Sequence, residues 1–309
     1  MYHSILVPLD GSPFGEHALP LAAGIARRAS ATLHLVHVHV TIGGLGIDVM
    51  PSSDDSAQRE RERDYLAEVQ QRLAQEPGLA VTTTVLDDPV VEALHGYTVD
   101  HAIDLVAMTT HGRGALSRLW LGSVTDRLVR QSPAPVLLVR PEESAPAPEQ
   151  EPPLKHVLVP LDGSALAEQI LPRAVALGSL VQARYTLLQV AELALSGEGA
   201  ELYGSAFDEE VQGRVRARSQ RYLDHVAGPL RSEGLTVETA TVFGWSAQDI
   251  LTYAADQAVD AIALATHGRS GIARLLIGSV ADKIVRGATV PVLLFRPHDV
   301  PLAAEDEEF

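Results

Sequence analysis

Cysteine is absent from the 309 residues. Disulfides and thiolate-bound zinc or iron–sulfur centres are therefore excluded, and a reducing cytoplasm is the expected compartment. Lysine is nearly absent too: Lys155 and Lys283 are the only two, and the formal net charge is −16. A surface this acidic repels phosphodiester backbones, which argues against nucleic acid as a partner. Any anionic ligand must be met locally, by arginines, backbone N–H groups and helix N-termini. Long apolar runs are also missing. None approaches the roughly 18 uncharged residues of a membrane span. The start, Met1 to Val7, lacks a basic segment and meets Asp10 early, so it reads as a first strand rather than a signal peptide.

What is present is ordinary for a soluble globular protein, with 46% hydrophobic and 21% charged residues. The length suits two domains of about 150 residues. The chain also repeats itself. Ile5-Leu-Val-Pro-Leu-Asp-Gly-Ser12 returns as Val157-Leu-Val-Pro-Leu-Asp-Gly-Ser164, and at the same spacing Pro20 matches Pro172 and Val38 matches Val190. Farther on, Thr110-His-Gly-Arg113 returns as Thr266-His-Gly-Arg269, and Leu121-Gly-Ser-Val124 as Ile277-Gly-Ser-Val280. The second spacing is four residues longer, so the second copy carries an insertion after Val190. A collinear match of this kind marks a tandem duplication. The expected units are residues 1–141 and 154–298. Between them a proline-rich acidic linker covers 142–153, and an acidic tail covers 299–309.

Within each copy, short apolar runs alternate with helical patterns, which is the signature of a parallel sheet with crossover helices. Strands are expected near 4–9, 32–39, 80–86, 104–109 and 135–139, with helices near 13–29, 57–75, 90–101 and 123–131. In the second copy the strands fall near 156–161, 183–190, 235–242, 260–265 and 291–295. Runs such as Leu105-Val-Ala-Met108 and Ala261-Ile-Ala-Leu264 are apolar throughout, as when helices cover both faces. The fold class is α/β: two doubly wound, Rossmann-like domains, each a five-stranded parallel sheet of order 3-2-1-4-5.

In such sheets ligands sit beyond the carboxyl ends of the strands, where the winding reverses. Strand one ends in Pro8-Leu-Asp10-Gly-Ser12 and strand four in Thr109-Thr-His111-Gly112, so the two clusters share a crevice if those strands are neighbours. Gly112 is followed after nine residues by Gly122-Ser123, and Gly268 after nine by Gly278-Ser279. Glycine allows close approach of backbone to a ligand. Each Gly-Ser opens a helix, where free N–H groups and the helix dipole favour phosphate oxygens. Ser123 with Asp126, and Ser279 with Asp282, have capping-box spacing.

These motifs closely resemble the universal stress protein family over nearly all of both copies. The resemblance implies an ATP-binding, stress-response signalling protein, with or without Mg2+, that works by nucleotide-dependent conformation or partner choice. By position it implies adenine contacts from Pro8, Asp10 and Val38, with Met108 and Thr109 nearby. His111, Gly112, Gly122, Ser123, Val124 and Thr125 would surround ribose and phosphates. In the second copy the base would meet Pro160, Asp162 and Val190, with Leu264 and Ala265 nearby. His267, Gly268, Gly278, Ser279, Val280 and Ala281 complete that set. Arg113 and Arg269 are candidate phosphate partners or solvated loop residues. The resemblance further implies an internal pseudo-dimer joined through the last strands, Val136–Val139 and Val292–Phe295, which would remove two exposed edges. Association of two chains into a homodimer remains open.

The pattern departs from the family at its first glycine, which is Thr109 in one copy and Ala265 in the other. Copy two also has Ala281 where copy one has the hydroxyl of Thr125, so copy one is expected to bind better. Asp10 and Asp162 can cap the following turn, accept a hydrogen bond from the adenine amino group, or do both. His111 and His267 read as loop or ligand contacts, since no nucleophile or second carboxylate stands beside them. His37 and His39 share a strand face, with His34 opposite, and read as packing rather than metal ligands. A nucleotide-free scaffold and a slow ATPase using His111 or Asp10 with Mg2+ are the alternatives. Against the latter, there is no phosphate loop of the Gly-x-x-x-x-Gly-Lys type.

Overall fold

Strands that are apolar on both faces build the centre of the sheet. In the computed structural model, which describes residues 2–40, 53–75, 77–110, 122–141, 152–191, 205–244, 246–266 and 277–297, every expected strand forms within two residues of its expected limits. The first half contains β1 (Ser4–Pro8), β2 (Thr32–His39), β3 (Ala80–Asp87), β4 (Leu105–Thr109) and β5 (Val136–Val139). Helices α1 (Leu19–Ala29), α2 (Ser53–Leu73), α3 (Val90–Asp100) and α4 (Ser123–Gln131) lie between them. The second half contains β6 (His156–Pro160), β7 (Arg184–Ala191), β8 (Val237–Phe243), β9 (Ala261–Ala265) and β10 (Val292–Phe295). Its helices are α5 (Ala165–Glu168), α6 (Leu171–Ser179), α7 (Ser205–Ser232), α8 (Ser246–Asp256) and α9 (Ser279–Gly287).

The ten strands form one sheet of order β3-β2-β1-β4-β5-β10-β9-β6-β7-β8. Each half has the expected 3-2-1-4-5 order, and β1 and β4 are neighbours, paired in parallel at Ile5–Leu105 and Leu6–Val106. The halves meet edge to edge. β5 and β10 pair antiparallel, with Val292 opposite Leu138, Leu293 opposite Leu137 and Leu294 opposite Val136. All other strand pairs are parallel.

Two apolar layers flank the sheet, and successive strand residues feed opposite layers. Ile5, Val7, Leu33, Leu35 and Leu137 join α1, α2, α6 and α7 on one face. Leu6, Val36, Val106, Leu138 and Leu294 join α3, α4, α8 and α9 on the other. Both layers run across the seam without a break. Guanidinium groups reinforce it: Arg296 Nη1 donates to the carbonyl of Arg130 in the last turn of α4 at 2.6 Å. Arg140 Nη1 donates to the carbonyl of Ala288, which ends α9, at 3.4 Å. Each half thus caps the C-terminal end of a helix in the other, where the helix dipole favours a cation.

Two expected helices differ, and α2 begins at Ser53, four residues before its expected start at 57. The helix expected over 13–29 is split into a 3-10 turn, Gly15–Ala18, and α1. Pro20 stands at the start of α1 and has no N–H to offer the carbonyl of Glu16, so the turn cannot run on as one α-helix. Pro172 does the same between α5 and α6.

Leu293 is fully buried at the seam. Leu293→Ala is expected to destabilise the chain by about 2–5 kcal/mol, the usual cost of emptying a packed leucine site. Urea denaturation followed by circular dichroism measures it, and an unchanged midpoint would contradict the packing described.

Candidate functional site

The carboxyl end of β1 turns sharply at Asp10-Gly11-Ser12. Asp10 Oδ1 accepts from the Ser12 backbone N–H at 2.9 Å and from its hydroxyl at 2.7 Å. Ser12 Oγ then accepts from the N–H of Gly15 at 3.3 Å. Asp162 and Ser164 repeat the arrangement at 2.9 Å and 2.6 Å, with the N–H of Ala167 on Ser164 Oγ at 3.2 Å. Gly11 and Gly163 take φ of 78° and 87°, the left-handed region that favours glycine. One oxygen of each aspartate is thus committed to shaping the turn, which is the capping role expected of it.

The carboxyl ends of β4 and β9 complete the crevices. Thr110 O accepts from the N–H of Gly122 at 3.0 Å, and Thr266 O from that of Gly278 at 2.8 Å. These bonds place the first turns of α4 and α9 against the strand ends. The expected capping boxes do not form. Gly122 and Gly278 are the N-caps, and no side chain caps either helix. Ser123 and Ser279 are already the first helical residues, and a capping serine must stand one place earlier. Asp126 and Asp282 instead reach one turn forward, to Arg130 and Arg286, each with contacts of 2.8 Å. Among the described residues no side chain caps the first-turn N–H groups, the condition under which a helix start holds an anion.

A cavity of about 740 Å3 opens at the carboxyl ends of β6, β7 and β9 in the second half. Pro160, Asp162 and Val190 line it from the first two strands, and Leu264 and Ala265 from β9. Gly278, Ser279, Val280 and Ala281 close it at the start of α9. All nine expected second-half residues that are described come together here. Residues His267, Gly268 and Arg269, like His111, Gly112 and Arg113, lie outside the described residues. Ala265 lines the cavity and is only partly buried. In the first half, Thr109 is buried, and its carbonyl accepts from the hydroxyl of Thr125 at 3.2 Å. That hydroxyl ties the first turn of α4 to the end of β4.

Sequence reasoning missed the wall that α7 contributes. Val215, Arg218, Ser219 and Tyr222 line the cavity, with Gln189 and Ala191 of β7 beneath them. The signal was the register of one charged helix against another: Arg59, Arg61 and Tyr65 of α2 recur as Arg216, Arg218 and Tyr222 of α7. The Tyr222 hydroxyl donates to Glu168 Oε1 at 2.9 Å. Burial first, and that carboxylate second, push the phenol well above its ordinary pKa.

The corresponding wall of the first half is a cluster of charges. His37 Nδ1 lies 2.8 Å from the Leu9 carbonyl, and its Nε2 lies 3.5 Å from Glu62. His39 is fully buried, with Nδ1 2.7 Å from Glu62 Oε2 and Nε2 2.8 Å from Asp55 Oδ1. Gln58 donates to the other Glu62 oxygen at 2.9 Å, and Arg59 pairs with Asp55 and Asp87. Both ring nitrogens of His39 are engaged by carboxylates, so neither is left for a metal. Among the described residues no cluster of His, Asp and Glu could hold one. His34, on the opposite face, meets the Tyr97 hydroxyl at 3.0 Å, and burial lowers its pKa.

The universal stress protein family profile matches residues 1–140 and 153–296. The chain belongs to that family. Curated members of similar length include a universal stress protein of Mycolicibacterium smegmatis, 27% identical over 308 residues, with 96% of this chain and 97% of the relative covered. One from Mycobacterium tuberculosis is 26% identical over 307 residues, with 95% and 97% covered. Among solved structures, a universal stress protein from Archaeoglobus fulgidus shares the fold with a TM-score of 0.66. It is 20% identical, and the match spans 96% of this chain and 97% of that one. Among the described residues no helix is long and apolar enough to cross a membrane.

The His39 cluster sets a pH dependence. Burial opposes the charged imidazole, but hydrogen bonds to Asp55 and Glu62 outweigh it and raise its pKa above the ordinary 6.5. Glu62 is pushed up by burial and pulled further down by Gln58 and His39, to below 4.5. Its bond to His39 also lowers Asp55. The histidine's contribution is complete below pH 6.5 and fades as pH rises through its folded value. The Glu62 contribution is complete above pH 4.5 and fades as pH falls. The melting-temperature gap between wild type and His39→Gln is therefore expected to be widest between pH 4.5 and 6.5 and to narrow on both sides. A gap that is constant with pH would refute the ion pair.

Proposed function

We propose that this universal stress protein binds an adenine nucleotide, ATP, at the carboxyl ends of its strands. Occupancy would set its conformation or its choice of protein partner in a stress response. The observation that carries the reading is the second-half cavity, whose volume lies in the range of about 300–1,000 Å3 usual for small-molecule sites. It joins an apolar floor to a helix start that no described side chain caps, the two environments that a base and a phosphate chain require.

The base would lie near Pro160, Asp162 and Val190, with Leu264 and Ala265 beside it. Phosphates would meet the N–H groups of Ser279, Val280 and Ala281, where partial positive charge substitutes for the lysine that the crevice lacks. In the first half, Pro8, Asp10, Val38, Met108 and Thr109, with Gly122 to Thr125, are the corresponding set. Mg2+ would travel with the phosphates of ATP. The chemistry is binding: among the described residues that line the cavity there is no lysine and no paired acid and base. A cytoplasmic location fits a chain without cysteine.

Calorimetric titration of ATP into the full chain tests this. Wild type is expected to bind, and Gly278→Val, which places a branched side chain at the helix start, is expected to weaken binding by about tenfold or more, roughly 1.4 kcal/mol. Absence of heat in wild type, with no nucleotide released on denaturing fresh protein, would make the chain a nucleotide-free scaffold.

A further inference from the structure

The two crevices share a backbone and differ in the side chains behind it. Leu9 N donates to Val36 O, and Leu161 N to Leu188 O, both at 2.8 Å, which aligns β2 with β7 residue for residue. The recurring arginines and tyrosine align α2 with α7. In this alignment His37, His39 and Glu62 of the first half become Gln189, Ala191 and Ser219 of the second. Two imidazoles and a carboxylate are exchanged for an amide, a methyl and a hydroxyl. The three smaller replacements all line the open cavity. Their first-half counterparts reach one another and the end of β1: His39 to Glu62 at 2.7 Å, Glu62 to His37 at 3.5 Å, and His37 to the Leu9 carbonyl at 2.8 Å.

We infer that His37, Glu62 and His39 form a built-in plug in the first crevice, and that the chain holds one nucleotide, in its second half. This rests on the nucleotide-binding reading above and narrows it. The plug has no unmet polar demand. Both His39 nitrogens and both Glu62 oxygens have partners. A ligand entering there would have to break charge-assisted hydrogen bonds in a buried place and leave their partners unsatisfied. Among the described residues the second half shows no such bonds at these positions, and Gln189 Oε1 is buried without a hydrogen-bond partner. The order of affinity is then the reverse of the one expected from Thr125 and Ala281.

Titration of ATP into the full chain is expected to give a stoichiometry near one. Importing the plug with Ala191→His/Ser219→Glu should abolish binding. Removing it with His37→Gln/His39→Ala/Glu62→Ser should raise the stoichiometry to two. Should either variant fold poorly, photolabelling of wild type with an azido-ATP and mapping of the labelled peptides reads the same point without mutation. Label confined to residues 154–297 supports the plug; label on first-half peptides overturns it. A wild-type stoichiometry of two, or full affinity in the Ala191→His/Ser219→Glu chain, also overturns it and leaves the nucleotide reading intact. No binding by wild type overturns both.

Discussion

The antiparallel meeting of β5 and β10 is the interaction on which the architecture depends. A doubly wound sheet ends in strands with unsatisfied N–H and C=O groups, and an exposed apolar edge invites pairing with another chain. Here each half satisfies the other at three register positions, and Leu137 and Leu293 continue one core across the join. The arginine caps follow from the same geometry. Only because the strands meet head to tail does Arg296 reach the end of α4 while Arg140 reaches the end of α9. The outer edges, β3 and β8, are left to threonine-rich and half-buried strands, which are poorer templates for association.

Most of the fold was legible because its signals are local. Continuous apolar runs mark strands buried on both faces, and the duplicated Pro-Leu-Asp-Gly-Ser motif marks the turn after the first strand in each half. What was not legible depends on competition between neighbours. Pro20 outweighs a helical pattern that otherwise runs from 13 to 29. Ser123 and Asp126 have capping-box spacing, but the helix begins one residue early for it, at a fixed distance from the Thr110 carbonyl. Spacing alone cannot reveal a one-residue shift of a helix start.

The site was read more completely along the strands than across the layers. Residues at the carboxyl ends of β6, β7 and β9 come together because strand order and the carboxyl-end rule place them. The wall supplied by α2 and α7 was missed because its residues sit in a charged helix whose surface pattern hides one inward-facing position. Glu62 looks like one more member of an acidic–basic run. Only its approach to His37 and His39, from a different strand, shows what it does. Nor does the sequence show that the Thr125 hydroxyl donates to the Thr109 carbonyl.

Head-to-tail joining has a consequence for how the molecule presents itself. Strands of the two halves run in opposite directions, so their carboxyl ends emerge at opposite rims of the sheet. A protein that docks on one rim touches a single crevice and cannot sense the other directly. Duplication within one chain therefore leaves each rim free to change independently, whereas in a dimer of identical chains any substitution would appear at both.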